Sequence, residues 1–163
     1  EAMEKLNKAV DELTEQLESL QIRDYTFAPE TTGKKSQLGN LKEIIEICQR
    51  HEKFAPTVDF AHLHARECGL FKDKDDYGRV FSLLEDELGI DTLHCHYTHI
   101  EFTDKGERRH HILSEDYGPP LEPLLEEIIE RGWDVTLICE TPLRDRDAIL
   151  MKRDYRNILK DKI

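Results

Sequence analysis

Side chains that commonly bind metal ions recur along this chain where predicted strands end. In chain order they are Glu30, Asp59, His62, His94, His96 and Glu140. Carboxylates and imidazoles are the ligands that Zn²⁺ and Mn²⁺ take in proteins. Because the carboxyl ends of parallel strands share one face of a sheet, these side chains are expected to converge there. The pattern therefore predicts a metal site at one end of a parallel sheet.

The histidine spacing indicates which imidazoles point toward this site. His62 and His64 are two residues apart, so in an extended chain next to Asp59 only one of them is expected near the site, and His62 is favoured. His94 and His96 share a face of their strand, and His99 lies beyond its end.

Each carboxylate also has an ordinary structural interpretation. Glu140 precedes a proline, where a loop carboxylate is common, and Asp59 is placed where it can cap a turn. A polar segment after the third strand adds Glu107, His110 and His111, and we interpret it as a loop. The clustering of these side chains, rather than any single residue, favours a metal site.

Apolar runs and helical stripes predict the elements that hold these residues. An amphipathic helix is predicted over residues 1–20, because its leucines and valine recur at helical spacing. Four strands are predicted at Arg23–Ala28, Thr57–Ala61, Thr92–Thr98 and Val135–Cys139. The helices that follow them are predicted at Asn40–His51, at Asp75–Leu88 with Asp75 or Asp76 as the N-cap, from Pro119 and Pro120 to Gly132, and at Asp145–Lys160.

This alternation of strands and helices predicts an α/β fold with a parallel sheet. The 163 residues, 38% of them hydrophobic, suffice for a single domain over residues 1–163. A complete (β/α)₈ barrel needs roughly 200–250 residues or more, so four units predict half of such a barrel.

Composition narrows the functional classes. The formal net charge of −12 is evidence against a large nucleic-acid footprint, which needs Lys and Arg. No apolar run is long enough to span a membrane, and no signal peptide is evident, so a cytoplasmic protein with reduced cysteines is expected. Because the chain begins at Glu1 without an initiator Met, we expect a fragment of a longer protein.

Four short motifs resemble those of endonuclease IV, a branch of the xylose isomerase-like TIM barrels. They are PETTG at Pro29–Gly33, VDFAH at Val58–His62, RHH at Arg109–His111 and CETP at Cys139–Pro142. They occur in the family's order and cover roughly residues 25–145. The run HCHYTHIEFTDKGE is similar to an uncharacterised archaeal branch, and the whole resembles the C-terminal half of the barrel.

The resemblance implies metal roles for several residues: Glu30, Asp59, His62, His110, Glu140 and, on the third strand, His96 with His94 and His99 as rivals. One departure concerns the position two residues before the loop histidine. The family has Asp there, this chain has Arg108, and Glu107 one residue earlier is the candidate replacement.

The leading hypothesis is that the longer parent protein is a metal-dependent phosphodiesterase acting on abasic or damaged DNA, with two or more Zn²⁺, Mn²⁺ or Mg²⁺ ions. Glu30 and Glu140 would position metals and orient the nucleophile, while Arg66, Lys105 and Arg109 would hold phosphate or lie free on the surface.

Two alternatives remain open. A sugar isomerase or epimerase would use Glu30 and Glu140 to move a proton, with a small sugar or phosphorylated substrate that suits the acidic charge. The chain would otherwise be a non-catalytic half barrel, forming a homodimer or joining a missing N-terminal half, since open sheet edges favour association. A monomeric mass by light scattering would contradict the homodimer.

Overall fold

The computed structural model describes residues 1–161 and alternates helices with strands as an α/β protein does. The six helices among those residues are α1 (Ala2–Ser19), α2 (Leu41–Arg50), α3 (Phe60–Arg66), α4 (Lys74–Leu88), α5 (Leu121–Arg131) and α6 (Asp145–Asp161). The five strands named there are β1 (Thr57–Asp59), β2 (Thr92–Tyr97), β3 (His99–Thr103), β4 (Gly106–His111) and β5 (Asp134–Cys139).

A parallel sheet in the order β1–β2–β5 forms the centre of the fold and confirms the predicted class. Its register pairs Asp59 with His96, and His96 with Ile138 on the next strand. Helices pack on the outer face, which buries Val58 and Tyr97. This arrangement corresponds to part of a TIM barrel.

The first predicted strand, Arg23–Ala28, is wrong as a continuous strand. The structure has only two isolated parallel bridges here, Phe27 with Phe54 and Glu30 with Thr57. Pro29 lies between them and has no N–H to donate, which interrupts the ladder. Glu30 nevertheless lies beside β1, at the position where the predicted strand would have placed it.

The second strand is shorter than predicted because a helix begins inside it. The Asp59 carboxylate accepts the His62 N–H at 2.7 Å and so acts as the N-cap of α3. His62 and His64 therefore lie on a helix, not on an extended chain. A related correction applies to α4, whose N-cap is Asp73, while Asp76 completes the capping box.

The segment after β2, predicted as a loop, is an antiparallel hairpin of β3 and β4. Ile100 of β3 is buried against Ala61 and Ala65 of α3, so the hairpin packs on that helix. The pairing contains a one-residue shift: Glu101 faces Arg109, but the next residue, Phe102, faces Glu107. Arg108 is thus the extra residue of a β-bulge.

The opposite face of the sheet remains open. His94, Thr136 and Ile138 lie on it, and Ile138 keeps 41% of its surface exposed. In a complete barrel this face would be the interior. None of the described helices is both long and apolar enough to cross a bilayer. All four cysteines are free, as expected, and two of them, Cys48 and Cys95, are buried.

His64 gives a prediction about stability and pH. Its ring is buried, and Nδ1 accepts the Phe71 N–H at 3.1 Å, so the neutral form is built into the fold. Burial lowers the pKa of His64 from 6.5 to about 4. The unfolded chain therefore binds an extra proton between these values, and stability is full above pH 6.5 and falls as the pH drops toward 4.

We expect this group to remove about 3 kcal/mol of stability across that window. The measurement is urea unfolding from pH 7.5 to 4 in a chelator, comparing the wild type with His64→Asn, whose Oδ1 atom replaces Nδ1 as the acceptor but cannot titrate. The slope of stability against pH should flatten in the variant. An unchanged slope would show that His64 does not carry this pH dependence.

Candidate metal centre

Asp59 lies at the centre of the candidate site and has no exposed surface. Its Oδ1 atom caps α3, but its Oδ2 atom is buried without any hydrogen-bond partner among residues 1–161. The Thr31 hydroxyl accepts the Asp59 N–H at 2.9 Å, which fixes the backbone that carries this carboxylate. A buried acceptor without a donor is costly unless a cation or proton completes it.

The electrostatics at Asp59 also indicate that its carboxylate needs a positive charge nearby. Burial raises the pKa of its carboxyl above the ordinary value, and the neighbouring carboxylates Glu140 and Glu30 raise it further, while His62 opposes the shift. Several carboxylates held together are destabilised unless positive charge joins them. A divalent cation would supply that charge.

Glu30, Asp59 and His96 form a group able to hold such an ion, with one candidate ligand atom from each lying within 4.8 Å of the others. His96 Nδ1 is 3.2 Å from Glu30 Oε1 and 3.3 Å from Glu140 Oε1. We call these four residues, Glu30, Asp59, His96 and Glu140, the strand position. Each lies on β1 or β2 or directly beside the carboxyl end of a sheet segment.

His62 faces a second group of ligand atoms. Its Nδ1 lies 2.9 Å from the Thr31 carbonyl, which can only accept, so Nδ1 carries the proton and Nε2 a lone pair when the ring is neutral. That Nε2 atom is 3.1 Å from Glu107 Oε2. With the ring neutral, two acceptors face each other there, and a shared cation would satisfy both.

His110 completes this second group from the hairpin. Its Nδ1 is 3.2 Å from the Glu140 carbonyl oxygen, and its ring centroid is 5.7 Å from that of His62. A histidine that donates one ring N–H to a carbonyl and presents the other nitrogen is typical of metal ligands. We call His62, Glu107 and His110 the hairpin position.

The other histidines are outside these two groups. His94 is exposed one row below His96, with ring centroids 5.5 Å apart. His99 Nδ1 interacts with the Glu115 carbonyl, and burial lowers the pKa of this ring. His111 stacks on Tyr117 and contacts the Glu115 carboxylate.

Of the three cations expected to contact phosphate, one is buried and two are exposed. Arg66, expected either to hold phosphate or to lie free on the surface, is buried, and both interpretations are wrong. Its guanidinium donates to the carbonyls of Thr32, Lys34 and Gln37 and so holds loop 31–39 against α3. Lys105 and Arg109 are exposed on the hairpin, consistent with either role.

Sequence reasoning did not identify Thr31, which orients both Asp59 and His62. The only signal was its position directly after Glu30, inside the PETTG motif. The assignment of individual ligands stays a prediction.

Comparison with known proteins identifies the family to which this chain belongs. The model of the xylose isomerase-like TIM barrel family matches residues 1–160. An uncharacterised protein of Methanocaldococcus jannaschii is 30% identical over 162 residues, which is 94% of this chain but 56% of that protein. The chain thus spans about half the length of this curated relative. With the parallel sheet and the ligand cluster at its carboxyl end, the match shows that the chain belongs to the xylose isomerase-like TIM barrel family.

Proposed function

We propose that this chain carries the metal centre of a divalent-metal-dependent phosphodiesterase that acts on abasic or damaged DNA. The proposal rests on the ligand group of Glu30, Asp59 and His96, and on the contacts of His62 beside it, which would let the hairpin position hold a second ion. His62 Nδ1 lies 3.4 Å from Asp59 Oδ2, while its Nε2 faces Glu107. Paired metal positions are typical of enzymes that cleave phosphate esters.

The residues fit divalent ions by chemistry as well as by position. The Oδ2 atom of Asp59 is buried without a hydrogen-bond partner within the described chain, and the Nε2 atom of His62 faces the Glu107 carboxylate. Zn²⁺ suits a mixture of carboxylate and imidazole, and Mn²⁺ or Mg²⁺ suit the carboxylates. Bound divalent ions would stabilise charge on phosphoryl oxygens and lower the pKa of a water molecule.

The chain's own residues would then orient the reacting groups. Glu30 and Glu140 keep 38% and 34% of their side-chain surfaces exposed, so both can reach a substrate or a water molecule at the open end of the sheet. Lys105 is exposed at the turn of the hairpin and can contact a backbone phosphate, while Arg109 lies on the hairpin face opposite His110. A small set of such contacts is compatible with the acidic charge of the chain.

The test is incision of an end-labelled duplex with one abasic site by the full-length protein in Zn²⁺ or Mn²⁺. We expect single-strand cleavage at that site and a loss of roughly 100-fold or more in Glu140→Gln. The matched control is Glu122→Gln on the exposed side of α5, which should cleave normally. Absence of incision by protein that contains bound metal would refute the proposal.

Sugar isomerisation is a second candidate, favoured by one specific observation. Glu30 and Glu140 flank the same His96 nitrogen at 3.2 and 3.3 Å, and such a carboxylate pair can remove and return a proton. Exchange of solvent deuterium into a sugar carbon in D₂O would support this reaction. Incision of DNA without such exchange would exclude it.

The proposal also includes association of this chain with a second half barrel. The inner face of the sheet exposes Ile138 beside His94, and β5 has no neighbouring strand on its outer edge within residues 1–161. Parallel sheets normally have both faces covered. A second half barrel would cover this face, either the N-terminal half of a longer protein or a second copy of this chain.

A further inference from the structure

The β-bulge in the hairpin determines which carboxylate reaches the metal centre. In a regular strand, residues alternate between faces, so Glu107 and His110, three residues apart, would point to opposite sides. In this structure Ile100 pairs with His110 and Phe102 pairs with Glu107, two residues apart on β3. Because Arg108 is the extra residue between the pairs, both ligand-type side chains point to the same side.

Contacts on both faces of the hairpin support this assignment. Glu107 Oε2 lies 3.1 Å from His62 Nε2, on the side that packs against α3. Arg108 points the other way: its guanidinium is 2.6 Å from Glu101 Oε1, and its side chain is 66% exposed. A carboxylate at position 108 would therefore face away from the metal centre.

The loop opposite the hairpin leaves room for the Glu107 side chain. A Cβ atom on Gly33 would lie 2.3 Å from Glu107 Oε2 and 2.8 Å from Glu107 Cβ. The Gly33 carbonyl accepts the Glu107 N–H at 3.0 Å, so backbone and side chain are both held against this loop. The glycine and the bulge together form a cradle for one carboxylate.

We infer that Arg108 is a positioning residue whose bulge makes Glu107 a ligand of the hairpin position, despite the three-residue spacing from His110. This inference rests on the proposed metal centre and deepens it. The spacing Glu-x-x-His in a bulged strand is equivalent here to a carboxylate two residues before the histidine in a regular strand. The chain then retains a carboxylate in the hairpin position.

Two rearrangements of the same residues test the inference. The double variant Glu107→Arg/Arg108→Glu keeps composition and charge but moves the carboxylate to the bulged position. Deletion of Arg108 removes the bulge and leaves the glutamate two residues before the histidine. We expect the exchange to weaken the second Zn²⁺ equivalent by about 100-fold or more, and the deletion to retain it.

The measurement is calorimetric titration of the chain with Zn²⁺, repeated with Co²⁺ by absorption, after thermal melts confirm cooperative folding. Asp104→Asn at the hairpin turn is the matched control and should bind as the wild type. Two full-affinity equivalents in the exchange variant, or only one in a folded deletion variant, would overturn the inference.

The same titrations separate this inference from the proposed function. If the first equivalent depends on Glu30, tested by Glu30→Gln, but the second is absent in the wild type, the role of the bulge is refuted while the strand position stands. If the wild type binds no divalent cation, both are refuted. A second equivalent that depends on Glu107 and not on Glu30 supports both.

Discussion

Replacing Asp59 with Asn should weaken Zn²⁺ binding at the strand position by about 100-fold or more, without destabilising the metal-free protein. Asn caps helices as well as Asp, so the bond to the His62 N–H can be kept. The substitution removes a buried charge held near Glu30 and Glu140. Because burial raises the pKa of Asp59, this carboxylate costs the metal-free fold stability at neutral pH, and its cost falls as the pH falls.

The measurement combines competition against a chromophoric chelator with thermal unfolding in excess chelator. Asp73→Asn, at the N-cap of α4, is a matched control because it makes the same chemical change at a helix start far from the centre. It should leave Zn²⁺ affinity unchanged. If Asp59→Asn lost stability in chelator but kept its Zn²⁺ affinity, Asp59 would be a structural cap and not a ligand.

The second large effect is expected for Gly106→Ala at the start of β4. Gly106 has a φ of +102°, and a Cβ atom there would lie 2.1 Å from the Gly33 carbonyl oxygen. That carbonyl holds the Glu107 N–H, so relief of the clash must break the contact that places Glu107. We expect a loss of about 2–4 kcal/mol in stability, together with weaker binding at the hairpin position.

Gly89→Ala gives the matched control for this substitution. Gly89 also has a positive φ, +64°, but a Cβ atom there would meet nothing within 4 Å. It should therefore cost only the backbone strain, about 1 kcal/mol, and leave metal binding intact. Equal losses in the two variants, by urea unfolding, would show that the close approach to Gly33 is unimportant.

The helices and the parallel strands were predictable because their signals are local. Asn40 and Gly89 mark helix ends, and apolar stripes give the helical period between such markers. Asp59 shows the limit of this reasoning. The predicted strand runs to Ala61 because apolar residues continue, yet the capping bond from His62 ends the strand at Asp59 and starts a helix at Phe60.

The hairpin was missed because little of it is apolar. Ile100 is its one fully buried hydrophobic side chain within the described chain, and the segment reads as a polar loop. Its stability comes from contacts with α3 and with loop 31–39, which are distant in sequence. Glu107 and His110 were expected as ligands from the resemblance, but their common orientation depends on a bulge that no local pattern predicts.

Most candidate ligands could be predicted from the sequence, but the role of Arg66 could not. Glu30, Asp59 and Glu140 follow from the rule that strand ends share a face, whereas His62 lies near them on α3 and not on an extended strand. Arg66 was misjudged because a lone arginine carries no sequence signal of burial. Its actual role depends on carbonyls that turn toward it only when loop 31–39 folds.

That buried guanidinium has a consequence for hydrogen exchange. Arg66 binds α3 to loop 31–39, and the Gly33 carbonyl binds the same loop to the hairpin, so we expect the three segments to open together. Their amides should exchange with D₂O at a common rate, as one cooperative unit. One wall of the candidate metal centre should then be rigid before any ligand binds.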